Sequence, residues 1–336
     1  MLLRTVSLIT CLVVAGVVLT VGPSPAPGQV PPEGPTAGPQ GRPGGGPGGH
    51  GGQAVVVPDC EFEGTEHFID VGGRRLHGYV YGAGAPTVVL VSGLNAPQAY
   101  WNAVVNGIAG ATTVITYDRA GYGRSEVGEL PLDGAQSARD LHALLAGMGV
   151  PGPYVLVGHS YGVGVARLFA SAYPENTGGL ILVDGQHEDI LDEQRKILEG
   201  EDLERLEEMV AMMESMADET TEIGSSQLTM EQLRSSGPLP EVPFVVITAG
   251  KRSMALPPFF SDAAREKLIA LGLSLQERLV ALIPGGRHIV AEGVGHNVQV
   301  EKPDVVTGPL GEMIDRIRSG DESRDAGGES THAGGT

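Results

Sequence analysis

Six short apolar, largely β-branched runs constrain this chain more than anything else in it. They occupy residues 87–91, 113–117, 154–157, 180–183, 244–248 and 288–291. Each is continuous rather than alternating, the pattern of a strand buried on both faces, as in a parallel sheet covered by helices. Stretches with helical spacing lie between them. Ala138, Leu141, Leu144, Leu145 and Met148 share one helix face, and Val165, Leu168 and Phe169 share another after residue 160. Residues 66–71 and 75–81 alternate instead, which predicts an antiparallel hairpin at the sheet edge with Gly72-Gly73 as its turn. The βαβα order predicts an α/β fold.

The rhythm breaks once. Residues 185–243 contain no strand pattern; the segment is acidic and helical, with Leu203, Leu206, Met209, Val210, Met212 and Met213 as its apolar positions. An insertion of nearly 60 residues between two core strands reads as a helical lid.

Both ends have a different character. Arg4 precedes a run of 17 uncharged, mostly apolar residues from Thr5 to Val21, and a small-x-small cleavage site could follow Gly28. This predicts export, with 1–28 as a cleaved signal peptide or an uncleaved N-terminal anchor. Either way, the expected location is secreted or membrane-anchored, outside the cytoplasm. Residues 29–53 are rich in Pro and Gly and offer no apolar pattern to pack, so they read as a disordered linker, and 319–336 as a similar tail. The folded domain is expected over 54–318, and 41% hydrophobic residues suffice for its core. Of the two cysteines, Cys11 lies in the N-terminal run, so the fold is expected to hold no internal disulfide with Cys60. A net charge of −19 repels phosphate backbones and argues against nucleic-acid binding through a basic face.

The chemistry centres on Gly158-His159-Ser160-Tyr161-Gly162, directly after one predicted strand and before a predicted helix. In strand–turn–helix context G-x-S-x-G is a nucleophile elbow. The turn is sharp enough that side chains two residues either side of the serine would collide with neighbouring backbone. Ser160 is thereby expected to hold its Oγ exposed at a helix N-terminus, where backbone N–H groups face a developing oxyanion. A serine hydroxyl needs a base. Among nine histidines, His296 stands in a glycine-flanked loop after the last predicted strand, at the sheet edge where Ser160 also lies. His159 would point away from its neighbour.

These features resemble the α/β-hydrolase superfamily, in particular its lid-bearing serine hydrolase and esterase branch, over 64–318. The resemblance is carried by Val88 to Asn95, by Asp118-Arg119-Ala120-Gly121-Tyr122-Gly123-Arg124-Ser125, by the Ser160 elbow, by Leu182-Val183-Asp184-Gly185 and by Ala291 to His296. It implies a mostly parallel eight-stranded sheet with helices on both faces plus a helical lid. Serine at the elbow, where other members carry Asp, implies acyl transfer. The resemblance also implies that oxyanion N–H groups come from Leu94, after Ser92-Gly93, and from Tyr161. Many members have His-Gly where this chain has Ser92-Gly93. Asn95 could add a donor or simply cap the next helix.

The family's usual acid position is empty here: Gly250-Lys251-Arg252-Ser253 has no carboxylate, nor has any residue between Glu241 and Asp262. The alternative position is the end of the preceding strand, occupied by Asp184, with Glu188, Asp189 and Asp262 as competitors. The expected set is therefore Ser160, Asp184 and His296, with a predicted contact of roughly 2.6–3.2 Å between Asp184 and His296 Nδ1. No metal set is expected, since His187, Glu188 and Asp189 lack ligand spacing, and no cofactor, since Gly121 and Gly123 do not open a dinucleotide-binding βαβ unit. The expected activity is ester hydrolysis on a small-molecule ester or amide substrate. Three alternatives stay open: a peptidase or amidase, with acidic residues between Glu201 and Glu208 receiving an amine; a cofactor-free haloperoxidase-like activity; and a non-enzymatic binding protein on a hydrolase scaffold.

Overall fold

The computed structural model describes residues 56–320 apart from 129, 216–220 and 252–255. The expected signal or anchor, the linker and nearly all of the expected tail lie outside the described residues. Eight strands form one sheet: β1 (Thr65–Asp70), β2 (Arg75–Tyr81), β3 (Thr87–Val91), β4 (Val114–Tyr117), β5 (Tyr154–His159), β6 (Thr177–Val183), β7 (Phe244–Ala249) and β8 (Arg287–Ala291). Their spatial order is β1-β2-β4-β3-β5-β6-β7-β8. The β1–β2 and β2–β4 pairs are antiparallel and the rest are parallel.

The continuous apolar runs of β3 to β7 have a direct physical explanation, whereas the run 288–291, expected to be buried on both faces, forms the edge strand β8 with Val290 40% exposed. Successive side chains of a strand point to opposite faces. In β6, Leu180 and Leu182 enter one core while Ile181 and Val183 enter the other. Helices α2 (Gly134–Met148) and α3 (Tyr161–Ala172) cover the first face; α1 (Asn102–Ile108) covers the second. Between β6 and β7 the chain makes α4 (Ile190–Ile197), α5 (Gly200–Ser215) and α6 (Ser226–Ser235). Next come α7 (Asp262–Val280), α8 (Val298–Glu301) and α9 (Asp304–Ser319); α8 and α9 join α1 on the second face. Leu206 and Val210 of α5 pack with Phe260, Ala264 and Leu268 into a third, separate core. None of the described helices is long and apolar enough to cross a membrane.

Several boundaries move by a few residues, and two shifts have a clear cause. β6 begins at Thr177, three residues before the predicted run, because its first residues pair with β5 across a register shift. The domain also continues past 318: α9 runs through Ser319 and ends on Gly320, whose φ of 65° suits a glycine C-cap.

The strand order matters for function. β3 has β4 on one side and β5 on the other, so the chain's direction of travel across the sheet reverses there. At such a reversal the connections leave the carboxyl ends of adjacent strands in opposite directions and open a crevice. The loop after β3 and the turn after β5 flank this crevice, and they carry Leu94 and Ser160.

Candidate active site

The turn after β5 is strained by design of its neighbours. Ser160 has φ 55° and ψ −119°, and its N–H donates to Val183 O at 3.0 Å. A Cβ on Gly158 would lie 2.5 Å from Gly162 O, and one on Gly162 would lie 2.3 Å from Val91 O. Both obstacles are backbone, so only glycine fits on either side. Among the described residues, Asn95, Ser160 and Asp184 are the non-glycine residues with positive φ, and all three gather here. Strain of this kind persists only where surrounding structure holds it, typically at functional sites. Ser160 is 8% exposed as a residue and lines a cavity that residues of α4–α6 help to wall.

Asp184 directly follows β6 at φ 44°, with its N–H bonded to Ile247 O at 2.7 Å. Its Oδ1 accepts the Ala249 N–H at 2.9 Å, and its Oδ2 lies 2.7 Å from His296 Nδ1. Nδ1 therefore carries the proton, and Nε2 presents its lone pair. Nε2 is buried and has no hydrogen-bond partner among the described residues. His296 lines the same cavity as Ser160. Its loop is pinned on both sides: Gly295 N–H donates to Glu301 Oε2 at 2.9 Å, and His159 Nε2–H donates to His296 O at 2.9 Å.

His159 thus has a place that the sequence did not reveal. Its ring stands 4.6 Å from that of His296. Burial, and then the neighbouring His296, push its pKa down to about 3, so it is a neutral donor. Its position beside the nucleophile was visible; that it reaches the His296 carbonyl depends on a contact between residues 137 positions apart.

The competing carboxylates are engaged elsewhere. Arg167 donates to both oxygens of Glu188, at 2.7 and 3.0 Å. Burial raises the Glu188 pKa, but the Arg167 bonds and charge outweigh it and hold it at about 2. Asp189 accepts from Arg234 at 3.2 Å. Asp262 sits in the first turn of α7, which Ser261 caps. Among the acidic α5 residues, Glu201 pairs with Arg205 and Glu207 with Arg195, and neither of these carboxylates lines the cavity. Asp202, Glu204 and Glu208 do not line it either, whereas Glu188, Asp192 and Glu231 do.

Leu94 and Tyr161 both line the cavity. A Cβ on Gly93 would lie 3.1 Å from Ser160 Cβ, so the backbone just before Leu94 touches the elbow. Tyr161 is the first residue of α3, where N–H groups lack intrahelical partners. The capping alternative for Asn95 is corrected: Pro97, which makes no side-chain capping bond, stands at the N-cap position of the next helical turn, and Asn95 has the left-handed φ of 52°. Arg119, which the sequence offered only as part of a motif, is buried and donates to Gly93 O at 2.9 Å. The cavity holds about 420 Å³ and has a largely apolar wall, including Met209, Met213, Met230, Leu256 and Phe260.

The model of the alpha/beta hydrolase family matches residues 88–308. The uncharacterized protein YqjL of Bacillus subtilis is 24% identical over 225 residues, 67% of this chain and 82% of YqjL. RutD of Cronobacter turicensis, provisionally named a carbamate hydrolase, is 36% identical over 105 residues, 30% of this chain and 38% of its own. The match to RutD thus spans well under half of that relative. A thermophilic esterase from Thermogutta terrifontis superposes with a TM-score of 0.52 at 21% identity, covering 75% of this chain and 99% of the esterase. At that identity the likeness concerns the fold.

Proposed function

Because this chain belongs to the alpha/beta hydrolase family, we propose that it is an exported serine hydrolase that cleaves carboxylic esters through an acyl-enzyme on Ser160. One observation carries the reading. His296 engages Asp184 through Nδ1 at 2.7 Å, and its Nε2 has no hydrogen-bond partner among the described residues, at the cavity that Ser160 also lines.

In this reading Ser160 Oγ attacks the ester carbonyl carbon while its proton passes to His296 Nε2. The carbonyl π pair moves onto oxygen, which receives the Leu94 and Tyr161 N–H groups. Asp184 holds the Nδ1 tautomer and faces the imidazolium as it forms. Collapse of the tetrahedral intermediate breaks the C–O bond, and the proton on His296 leaves with the alcohol. Water then repeats the sequence on the acyl-enzyme and releases the acid. The insertion α4–α6 acts as the cover of the site, and the apolar cavity wall favours an ester with an apolar acid or alcohol. The N-terminal run supports export.

The test joins three measurements. Ser160→Ala is expected to abolish hydrolysis of an activated short-chain ester while the protein stays folded. A fluorophosphonate is expected to label the parent at Ser160 only. Acyl esters of graded length are expected to be cleaved in preference to aminoacyl amides. Hydrolysis by Ser160→Ala at the parent's rate would falsify the proposal.

A further inference from the structure

Arg119 is buried, and its guanidinium is used on both edges. Nη1 donates to Ser92 O and Nη2 to Gly93 O, the latter at 2.9 Å. The other edge is held by Glu222, with Nε donating to Oε1 and Nη2 to Oε2 at 2.7 Å. Glu222 is 1% exposed and belongs to the helical insertion, in the turn that leads into α6. The guanidinium also lies over the Tyr161 ring, 5.3 Å from its centre. A second tie runs from the insertion to Tyr161: its hydroxyl lies 3.1 Å from Thr229 Oγ1 on α6. Thr229 donates its own proton to Ser225 O at 3.1 Å, so Tyr161 is the donor to Thr229.

Gly93 C=O and Leu94 N–H belong to one planar trans amide and point in opposite directions. Whatever fixes the Gly93 oxygen therefore fixes the direction of the Leu94 N–H. Stability alone gives no account of a guanidinium here, because apolar residues of similar volume often serve a buried site as well as an ion pair does. The fork does give one, since a planar guanidinium can bind two successive carbonyls on one edge and a carboxylate on the other.

We infer that Arg119 and Glu222 are a positioning pair, in which Glu222 of the insertion orients Arg119 and Arg119 sets the Gly93–Leu94 peptide so that its N–H meets the oxyanion. The inference rests on the serine hydrolase reading above. It makes the insertion part of the oxyanion machinery as well as a wall of the cavity.

The probe is an alkyl trifluoromethyl ketone, to whose carbonyl Ser160 Oγ adds, leaving an oxyanion that only a formed oxyanion hole binds tightly. Glu222→Gln leaves Arg119 half-held. We expect kcat on an activated ester to fall about 10- to 100-fold, the scale of a misplaced group or a weakened oxyanion donor. The ketone inhibition constant should rise by the same factor and KM should stay unchanged. Arg119→Met combined with Glu222→Leu removes both charges and restores an apolar site, so it should fold at least as stably as Glu222→Gln and still show the same loss. Asp140→Asn is the control: it breaks the buried Arg74–Asp140 pair between the hairpin and α2, and should lower Tm without moving the ketone constant relative to kcat. Parent-like ketone affinity in both altered proteins, or losses no more specific than those of Asp140→Asn, would overturn the inference while Ser160-dependent hydrolysis stands. Hydrolysis that survives Ser160→Ala would overturn the underlying reading and this inference with it.

Discussion

Asp184 and His159 both act on His296, and they do so through different atoms. Asp184 faces the ring at Nδ1, whereas His159 holds the backbone carbonyl. Asp184→Asn preserves the shape but offers an amide, which favours the wrong imidazole tautomer. We expect kcat to fall by about 10⁴ with the fold retained, as when a triad acid becomes an amide; steady-state kinetics and circular dichroism check both halves. His159 makes a different prediction, about pH. Its folded pKa is about 3, against 6.5 when unfolded. Between those values the unfolded chain binds more protons, so stability rises with pH and is lost as pH falls below 6.5. Burial lowers the His187 pKa too, which adds to the same window. The depressed Glu188 carboxyl contributes only below its ordinary value of 4.5. His159→Gln keeps an N–H donor but cannot titrate. Between pH 6.5 and 4.5 it should flatten the dependence of unfolding free energy on pH by up to about 1.4 kcal/mol per pH unit; urea melts at several pH values measure this.

At the scale of the element, the strand–turn–helix of β5, Ser160 and α3 is held by backbone approaching backbone. Gly162 lies against the β3 end, where a Cβ would be 2.3 Å from Val91 O and 2.6 Å from Ser92 O. Neither atom is the end of a flexible side chain, and moving them moves the loop that carries Leu94. Gly162→Ala should therefore destabilise by about 1–3 kcal/mol, the scale of overpacking, and slow fluorophosphonate labelling as well. A melt with a labelling time course separates the two effects. Parent-like labelling with a lowered Tm would mean that the elbow absorbs the methyl without disturbing Ser160.

For the whole molecule, the described fold and the N-terminal run make separate demands. The domain has its two sheet-face cores and the core under the insertion within residues 56–320. A chain starting at Gln53 should therefore fold and hydrolyse an activated ester as the full chain does. The full chain, produced in a bacterial host, should be recovered outside the cytoplasm or in the membrane fraction. Fractionation and immunoblotting check the second outcome. Soluble, unprocessed full-length chain in the cytoplasm would count against export.

Much of the fold was legible in the sequence because it is written in local order. Both faces of β3 to β7 are largely buried, so each carries a run of mostly apolar residues, and the run itself marks the strand. The elbow was legible for a similar reason, since the two glycines answer a local clash. His296 and Asp184 were found from their places at strand ends, because a parallel sheet brings all such ends to one edge. Only the tertiary structure decided what reaches across that edge. The His159 bond to the His296 carbonyl joins residues 137 apart, and the Arg119–Glu222 pair joins residues 103 apart. It also decided that Ser160 lines a cavity walled in part by residues of α4–α6. Strand runs and tight turns are dictated by near neighbours along the chain, whereas these contacts depend on which distant backbone arrives beside a given side chain. No spacing or composition encodes that arrival, because it is set by the order of the strands in the sheet and by the path of the insertion.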